Sequence, residues 1–275
     1  MNNFKFYILI IVVLLLFLYI QNNLLQITEI NLKIDRLPEE FNNYKILHIS
    51  DLHNKKFGDN QKRLIDKIGD INPDIIVITG DIIDSRRKGM KNAIDLVEGI
   101  SEIYPTYYVT GNHEERIENY MTLKKKLKKC GVYILDNNTI KLKRGYSSIN
   151  ISGIRDKSTR GITEDNFYDV LKDINKNIDK KNINILLAHR PSNIDYYKNM
   201  SYDIVFSGHA HGGQFRIPYI GGLVSPDQGV FPKYYAGLYK EKNTNLIVSR
   251  GLGNSIFPQR LFNRPELVVV TLNNK

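Results

Sequence analysis

The chain of 275 residues has one cysteine, Cys130. No intrachain disulfide can form, and no clustered thiolates exist to hold a structural zinc ion. Internal repeats and low-complexity tracts are absent, so nothing interrupts a single large domain after the first segment. Acidic side chains are in deficit: 29 Asp and Glu against 39 Lys and Arg leave a formal charge of +10. Lys124, Lys125, Lys126, Lys128 and Lys129 crowd the end of one expected helix, where cations complement the helix dipole. They form either a solvated face or a contact for anionic lipid headgroups, each lysine near such a surface contributing on the order of 1 kcal/mol. A nucleic-acid partner is disfavoured because the chain carries no recognised reading motif.

What the chain does have is a long apolar start. Fifteen uninterrupted apolar or tyrosine residues run from Phe6 to Ile20, at the short edge of what spans a bilayer. The following Gln21-Asn22-Asn23-Leu24-Leu25-Gln26 shows no small-residue cleavage pattern, which favours an uncleaved signal anchor over a removed leader. Lys5 precedes the span, while Lys33 and Arg36 come well after it. This weakly favours a cytoplasmic amino terminus and an extracytoplasmic catalytic domain at the cell membrane. The expected division is 1–22 as anchor, 23–43 as linker and first edge segment, and 44–275 as one α/β domain with a well-buried core.

Within that domain five of the six histidines fall inside short polar words. These are Asp51-Leu52-His53, Gly80-Asp81-Ile82-Ile83-Asp84, Gly111-Asn112-His113-Glu114, Ala188-His189 and Gly208-His209-Ala210-His211. Each word ends an apolar run, such as Ile75-Ile76-Val77-Ile78 before Asp81 and Ile204-Val205-Phe206 before His209. Buried strands of an α/β sheet have this character, and ligands gather beyond their carboxyl ends. Carboxylate, imidazole and amide donors together suit borderline divalent ions such as manganese, zinc or iron. His48 lies inside the first run and reads as a core or supporting residue. Arg190, directly after His189, is a candidate for touching an anionic substrate, with a plain solvent role as its competitor.

In this order, each at a strand end, the words are the signature of the calcineurin-like metallophosphoesterases, which the chain resembles over roughly residues 45 to 272. It is most similar to the membrane-anchored bacterial branch. There the second histidine pair reads Gly-His-x-His-Gly-Gly-Gln, as here through Gln214, and Ser249-Arg250-Gly251-Leu252-Gly253 precedes Arg260-Leu261-Phe262-Asn263. The resemblance implies a four-layer αββα sandwich of two mixed sheets flanked by helices. It also implies two divalent metal ions, one held by Asp51, His53, Asp81 and His211, the other by Asp81, Asn112, His189 and His209. Two such ions lower the pKa of a shared water and clamp phosphoryl oxygens during in-line attack. His113, left over beside a ligand, takes the role of general acid or transition-state stabiliser, with Asp84 as the carboxylate that orients it. Where the protein-phosphatase branch has Asp-Arg-Gly, this chain has Asp84-Ser85-Arg86, which counts against a phosphate-clamping role for Arg86 or Arg87.

The implied activity is hydrolysis of a phosphoester or pyrophosphate, on a lipid-linked or cell-envelope substrate; relatives in the anchored branch resemble UDP-2,3-diacylglucosamine pyrophosphatases. A nuclease or cyclic-nucleotide phosphodiesterase with the same dinuclear site is one alternative. A non-enzymatic membrane-anchored scaffold is another, although its usual mark is lost ligands and none is missing. The segment from Gln214 to Tyr239, rich in Gly, Pro and aromatics, either walls the cleft against an acyl chain or sugar or packs as an ordinary loop.

Periodicity predicts strands near 45–50, 74–79 and 106–110, alternating with helices near 60–70, 90–103 and 115–129. The second half reads as strand-rich, with one clear helix near 164–174 before His189. The strands there fall near 132–135, 139–143, 148–154, 183–187, 203–206, 235–239, 244–249 and 266–272.

Overall fold

The computed structural model describes residues 2–87, 89–158, 163–254 and 256–275. An apolar helix, α1 (Asn2–Asn23), is followed by β1 (Gln26–Ile34), β2 (Tyr44–Ile49), α2 (Lys62–Ile71), β3 (Ile75–Ile78) and α3 (Lys91–Ser101). Then come β4 (Thr106–Tyr108), α4 (Asn112–Arg116), α5 (Tyr120–Lys129), β5 (Tyr133–Ile134), β6 (Asn138–Arg144) and β7 (Ser147–Gly153). After α6 (Glu164–Lys176), β8 (Asn184–Leu187), α7 (Ile194–Tyr197) and β9 (Ile204–Ser207) lie two small ribbons. The first pairs β10 (Arg216–Ile217) with β11 (Gly221–Gly222), and the second pairs β12 (Val224–Ser225) with β13 (Gly229–Val230). The chain closes with β14 (Gly237–Glu241), β15 (Thr244–Val248) and β16 (Glu266–Asn274).

Two six-stranded mixed sheets result, ordered β1-β16-β2-β3-β4-β5 and β14-β15-β9-β8-β7-β6. Their central strands are apolar on both faces because both faces are covered. In β2, Ile46 points into the layer between the sheets, with Val77, Ile185 and Phe206, while Leu47 packs outward with Leu64 of α2 and Val97 of α3. In β8, Ile185 and Leu187 face the middle layer, and Leu186 meets Phe167 and Leu171 of α6. This alternation of two apolar sets builds the four-layer αββα sandwich.

The segment 23–43, expected as linker and first edge segment, holds the edge strand β1, which runs for nine residues beside β16 and buries Leu32 and Ile34 in the middle layer. One local expectation changes. The helix expected over 115–129 is split, because Ile117 is extended (φ −88°, ψ 140°) and packs against the outer core. Helix α4 is thereby a separate short piece, set by the bonds its first residues make in the polar centre.

Helix α1 is long and apolar enough to cross a membrane, and no part of its apolar window is buried inside the protein. Among the described residues it is the one such helix.

Candidate metal centre

Parallel strands β2, β3, β4, β8 and β9 all release their chains at one end of the sandwich. Asp51 and His53 follow β2, Asp81 follows β3, Asn112 and His113 open α4 after β4, His189 follows β8, and His209 and His211 follow β9. The seven residues expected as ligands therefore meet in one place, each nine-tenths or more buried. Their donor atoms form two groups. In the first, His53 Nε2 lies 3.2 Å from His211 Nε2, and His211 Nε2 lies 3.3 Å from Asp51 Oδ1. In the second, His189 Nε2 lies 3.1 Å from His209 Nδ1 and 3.2 Å from Asp81 Oδ2. Asp81 Oδ2 also stands 3.7 Å from His53 Nε2, so it belongs to both.

These spacings suit donors arranged around ions with bonds of about 2.0–2.2 Å. Asn112 Oδ1, on the residue before His113, is buried with no hydrogen-bond partner among the described residues. Backbone strain marks the centre. Asp51, His53, Asp81, His209 and His211 all have φ between 48° and 62°, a left-handed conformation costing on the order of 1 kcal/mol or more for each non-glycine residue. Gly208 permits the last of these turns, since a Cβ there would overlap Ser50 Oγ and Asp51 Oδ2.

Supporting bonds fix each donor. His189 Nδ1 donates to Thr79 O (2.6 Å), which turns Nε2 toward the centre. His209 Nε2 lies 3.1 Å from Asp227 Oδ2, leaving Nδ1 to the centre. Asp81 Oδ1 accepts from His113 N–H (2.8 Å), which aims Oδ2 between the two groups. Glu114 sits beneath, accepting from the N–H groups of Asp81 and Gly111, both at 2.8 Å. His48 fulfils its supporting role at one end of a buried chain: its Nε2 is 2.8 Å from Thr79 Oγ1, Thr79 donates to Ser50 (2.9 Å), and Ser50 to Asp51 Oδ2 (2.6 Å).

The charges respond accordingly. Burial opposes ionisation of Asp81, but His189 and His53 outweigh it and hold the carboxyl well below its usual range. Burial likewise disfavours the His189 cation, yet Asp81 lifts its pKa to about 10. Burial pushes His211 down to about 3 and, with Asp81 beside it, pushes Glu114 up to about 8. A ligand histidine must shed its proton, so metal loading here releases protons.

His113 Nδ1 lies 3.3 Å from Asp84 Oδ1 but accepts a hydrogen bond from Ser85 N–H at 3.0 Å. The neutral ring therefore carries its proton on Nε2, which faces the centre 4.0 Å from Asp81 Oδ2. Burial brings its pKa down to about 4. Asp84 Oδ1 meanwhile accepts from Arg86 N–H at 2.9 Å.

Arg190, expected to reach substrate or solvent, is buried with its guanidinium occupied. It forms a two-point pair with Asp156 (2.8 and 3.0 Å), donates to Ser158 Oγ (2.6 Å) and pairs with Asp227. Asp156, Asp227, Glu114 and Thr79 thus support the centre without having stood out in the sequence. Only Glu114 lay within a motif.

Comparison with known proteins shows the family. Residues 44–213 match the model of the calcineurin-like phosphoesterase family. The chain is 28% identical over 262 residues to an uncharacterized metallophosphoesterase, YkuE, of Bacillus subtilis, covering 93% of this chain and 88% of that protein. It is 30% identical over 226 residues to YkoQ of the same organism, 81% of each being covered. A "transmembrane protein with metallophosphoesterase domain" of Danio rerio is 28% identical over 90% of this chain and 57% of its own length. Among solved structures, TT1561 of Thermus thermophilus superposes with a TM-score of 0.52 at 14% identity, covering 76% of this chain and 90% of that one, a likeness of fold. The chain therefore belongs to the calcineurin-like phosphoesterase family and is a metal-dependent phosphohydrolase.

Proposed function

We propose that the protein, held to a membrane by α1, hydrolyses a phosphoester or pyrophosphate bond of a lipid-linked or cell-envelope substrate at a dinuclear centre. Asp51, His53, Asp81 and His211 would hold one ion, and Asp81, Asn112, His189 and His209 the other. The donor set favours manganese, zinc or iron. The observation that carries the reading is the position of Asp81 Oδ2, 3.7 Å from His53 Nε2 and 3.2 Å from His189 Nε2. When bound, two such ions supply an activated water and a charge clamp on the phosphoryl oxygens.

The chain's own groups do the rest. His113 presents Nε2–H toward the leaving-group oxygen, with Ser85 N–H fixing that tautomer. The Asp84 carboxylate, 3.3 Å from Nδ1, stabilises the ring in its protonated form, which gives its Nε2 proton to that oxygen and returns to the neutral ring. The hydrogen-bond chain from His48 to Asp51 and the Thr79 carbonyl on His189 hold their ligands in place without swinging.

The test uses the full chain in detergent, stripped of metal and resupplied with manganese, zinc or iron, with bis-p-nitrophenyl phosphate as substrate. Activity should return with metal and fall about a thousandfold in Asp81→Asn, the scale of several kcal/mol of lost charge stabilisation. His113→Ala should lower turnover about 100-fold or more while metal content stays unchanged. A wild-type chain inactive with every metal, or an Asp81→Asn variant at full rate, would overturn the proposal. Retention in the pellet after alkaline carbonate extraction tests the anchor separately.

A further inference from the structure

Sheet polarity determines which end of the domain α1 leaves from. Strand β2 runs toward Asp51, and β16 lies antiparallel to it with Val268 opposite His48. Strand β1 runs parallel to β16 with Gln26 opposite Glu266. Strand β1 therefore begins at the metal end, and only Leu24 and Leu25 separate it from α1. The last turns of α1 are fastened to the same end. Asn22 Nδ2 donates to Pro258 O at 3.0 Å, Arg260 N–H donates to Asn22 Oδ1 at 2.9 Å, and Gln259 Nε2 donates to Leu18 O at 3.1 Å. Lys55, two residues beyond His53, donates to Asn22 O.

Around this junction the loops after the last histidines expose apolar side chains. Tyr219, Ile220 and Phe231 come from the first loop; Ile256, Phe257 and Phe262 come from the second. The Phe262 ring lies 5.5 Å from that of Phe17, so the patch is continuous with the apolar surface of α1. Exposed apolar patches of this kind mark contact surfaces. Between the loops is a cleft of about 400 Å³ lined by Arg216, Arg250, Tyr219, Tyr235, Gln26 and Phe262. Arg250 is buried and paired with Glu266 at 2.8 Å. Arg216 lies over the Tyr235 ring at 5.7 Å and has no acidic partner among the described residues. Among the described residues the neighbouring Arg264 guanidinium meets only the Gln26 amide, at 3.2 Å. Three guanidiniums with one carboxylate leave surplus positive charge at the foot of an apolar rim.

We propose that the metal end of the domain lies on the bilayer, with the Arg216 cleft taking the phosphate of an anionic lipid headgroup. The inference rests on α1 spanning the membrane. It places the catalytic centre at the lipid surface, so that an amphiphilic phosphoester arrives without leaving its leaflet. The ribbon of β10 and β11 links the two sites, because Gly222 packs directly on Gly213, two residues beyond His211.

The chain contains no tryptophan, so a single introduced one reports its own surroundings. The full chain is reconstituted in phosphatidylcholine and phosphatidylglycerol vesicles with brominated acyl chains, carrying either Tyr219→Trp or Tyr146→Trp. Tyr146 is equally exposed but lies in the β6–β7 turn, at the opposite end of the sheet. Fluorescence of Tyr219→Trp should be quenched and blue-shifted, and that of Tyr146→Trp unaffected; equal quenching in a membrane-held chain would overturn the proposal. In native mass spectrometry, Arg216→Ala should retain about fivefold less phosphatidylglycerol, the scale of one basic side chain at an anionic surface. Arg216→Lys should recover part of it. Retention of inorganic phosphate in place of lipid would also overturn it. A chain released by carbonate yet active on the soluble ester would sink the anchor and this inference together, leaving the hydrolase standing.

Discussion

The two ends of the strands treat their aspartates in opposite ways. Where the strands begin, Asp203 receives Arg36 at 2.6 Å and Asn184 N–H at 2.8 Å, while Asp74 receives Lys45 N–H at 2.7 Å and Arg144 at 3.3 Å. Where they end, Asp51 and Asp81 face imidazole nitrogens, on a backbone held in left-handed conformations. One end is closed by the protein's own cations. The other gathers acceptors and strain around a place for ions from outside, and the cost is carried by the packed strands beneath. Function and stability are thereby separated along the strand axis, and substitutions at each end should report on different things.

Asp156 gives the largest effect that tests this division, because it lies at the metal end yet is closed by a cation. It is buried against Arg190, and although burial opposes its ionisation, Arg190 holds its pKa below the usual value. Asp156→Ala takes the two-point carboxylate partner from a buried guanidinium, so a loss of about 3 kcal/mol is expected in urea unfolding of the metal-free chain. A carboxyl with a lowered folded pKa stabilises above its unfolded pKa and loses that contribution as pH falls through the folded one. The gap between wild type and variant should therefore be constant across about pH 5–8 and close only in stronger acid. A gap that closes near neutrality would show that a histidine, not this pair, carries the stability.

Asp227 comes next. Its carboxylate, 3.1 Å from His209 Nε2, orients that ring without belonging to the centre. Asp227→Ala should weaken metal binding about 10–100-fold, read by calorimetric titration of the stripped protein, with a much smaller change in unfolding. Unchanged metal affinity would mean that packing alone sets the His209 ring.

These two aspartates also mark what the sequence left hidden. The residues that meet at this centre were legible because strand ends and short polar words coincide, and because each word holds a residue type with few other uses beside a buried strand. Asp156 and Asp227 are single acids in irregular segments, and only the folded chain brings them to Arg190 and His209. Arg190 itself reads as an anion contact from its position after His189, yet two acids from distant loops occupy it. Strand β1 reads from the sequence only as an edge segment. Its partner β16 lies at the other end of the chain, so the pairing is set by the fold. The break at Ile117 follows from the bonds Glu114 makes to Gly111 and Asp81, and those are tertiary.

The smallest effect belongs to the closed end and makes the sharpest control. Asp203→Asn keeps an acceptor for Asn184 N–H but removes the charge that Arg36, itself 43% exposed, pairs with. The expected loss is under about 1 kcal/mol, and it should shrink further in high salt, which screens exposed pairs. Metal affinity and turnover should match wild type, because no ligand, supporting bond or loop of the metal end rests on Asp203. Calorimetric titration beside Asp227→Ala decides the point. If Asp203→Asn weakened metal binding as much as Asp227→Ala does, the two ends would be coupled through the strands, and the stability of one could not be tuned without changing the chemistry of the other.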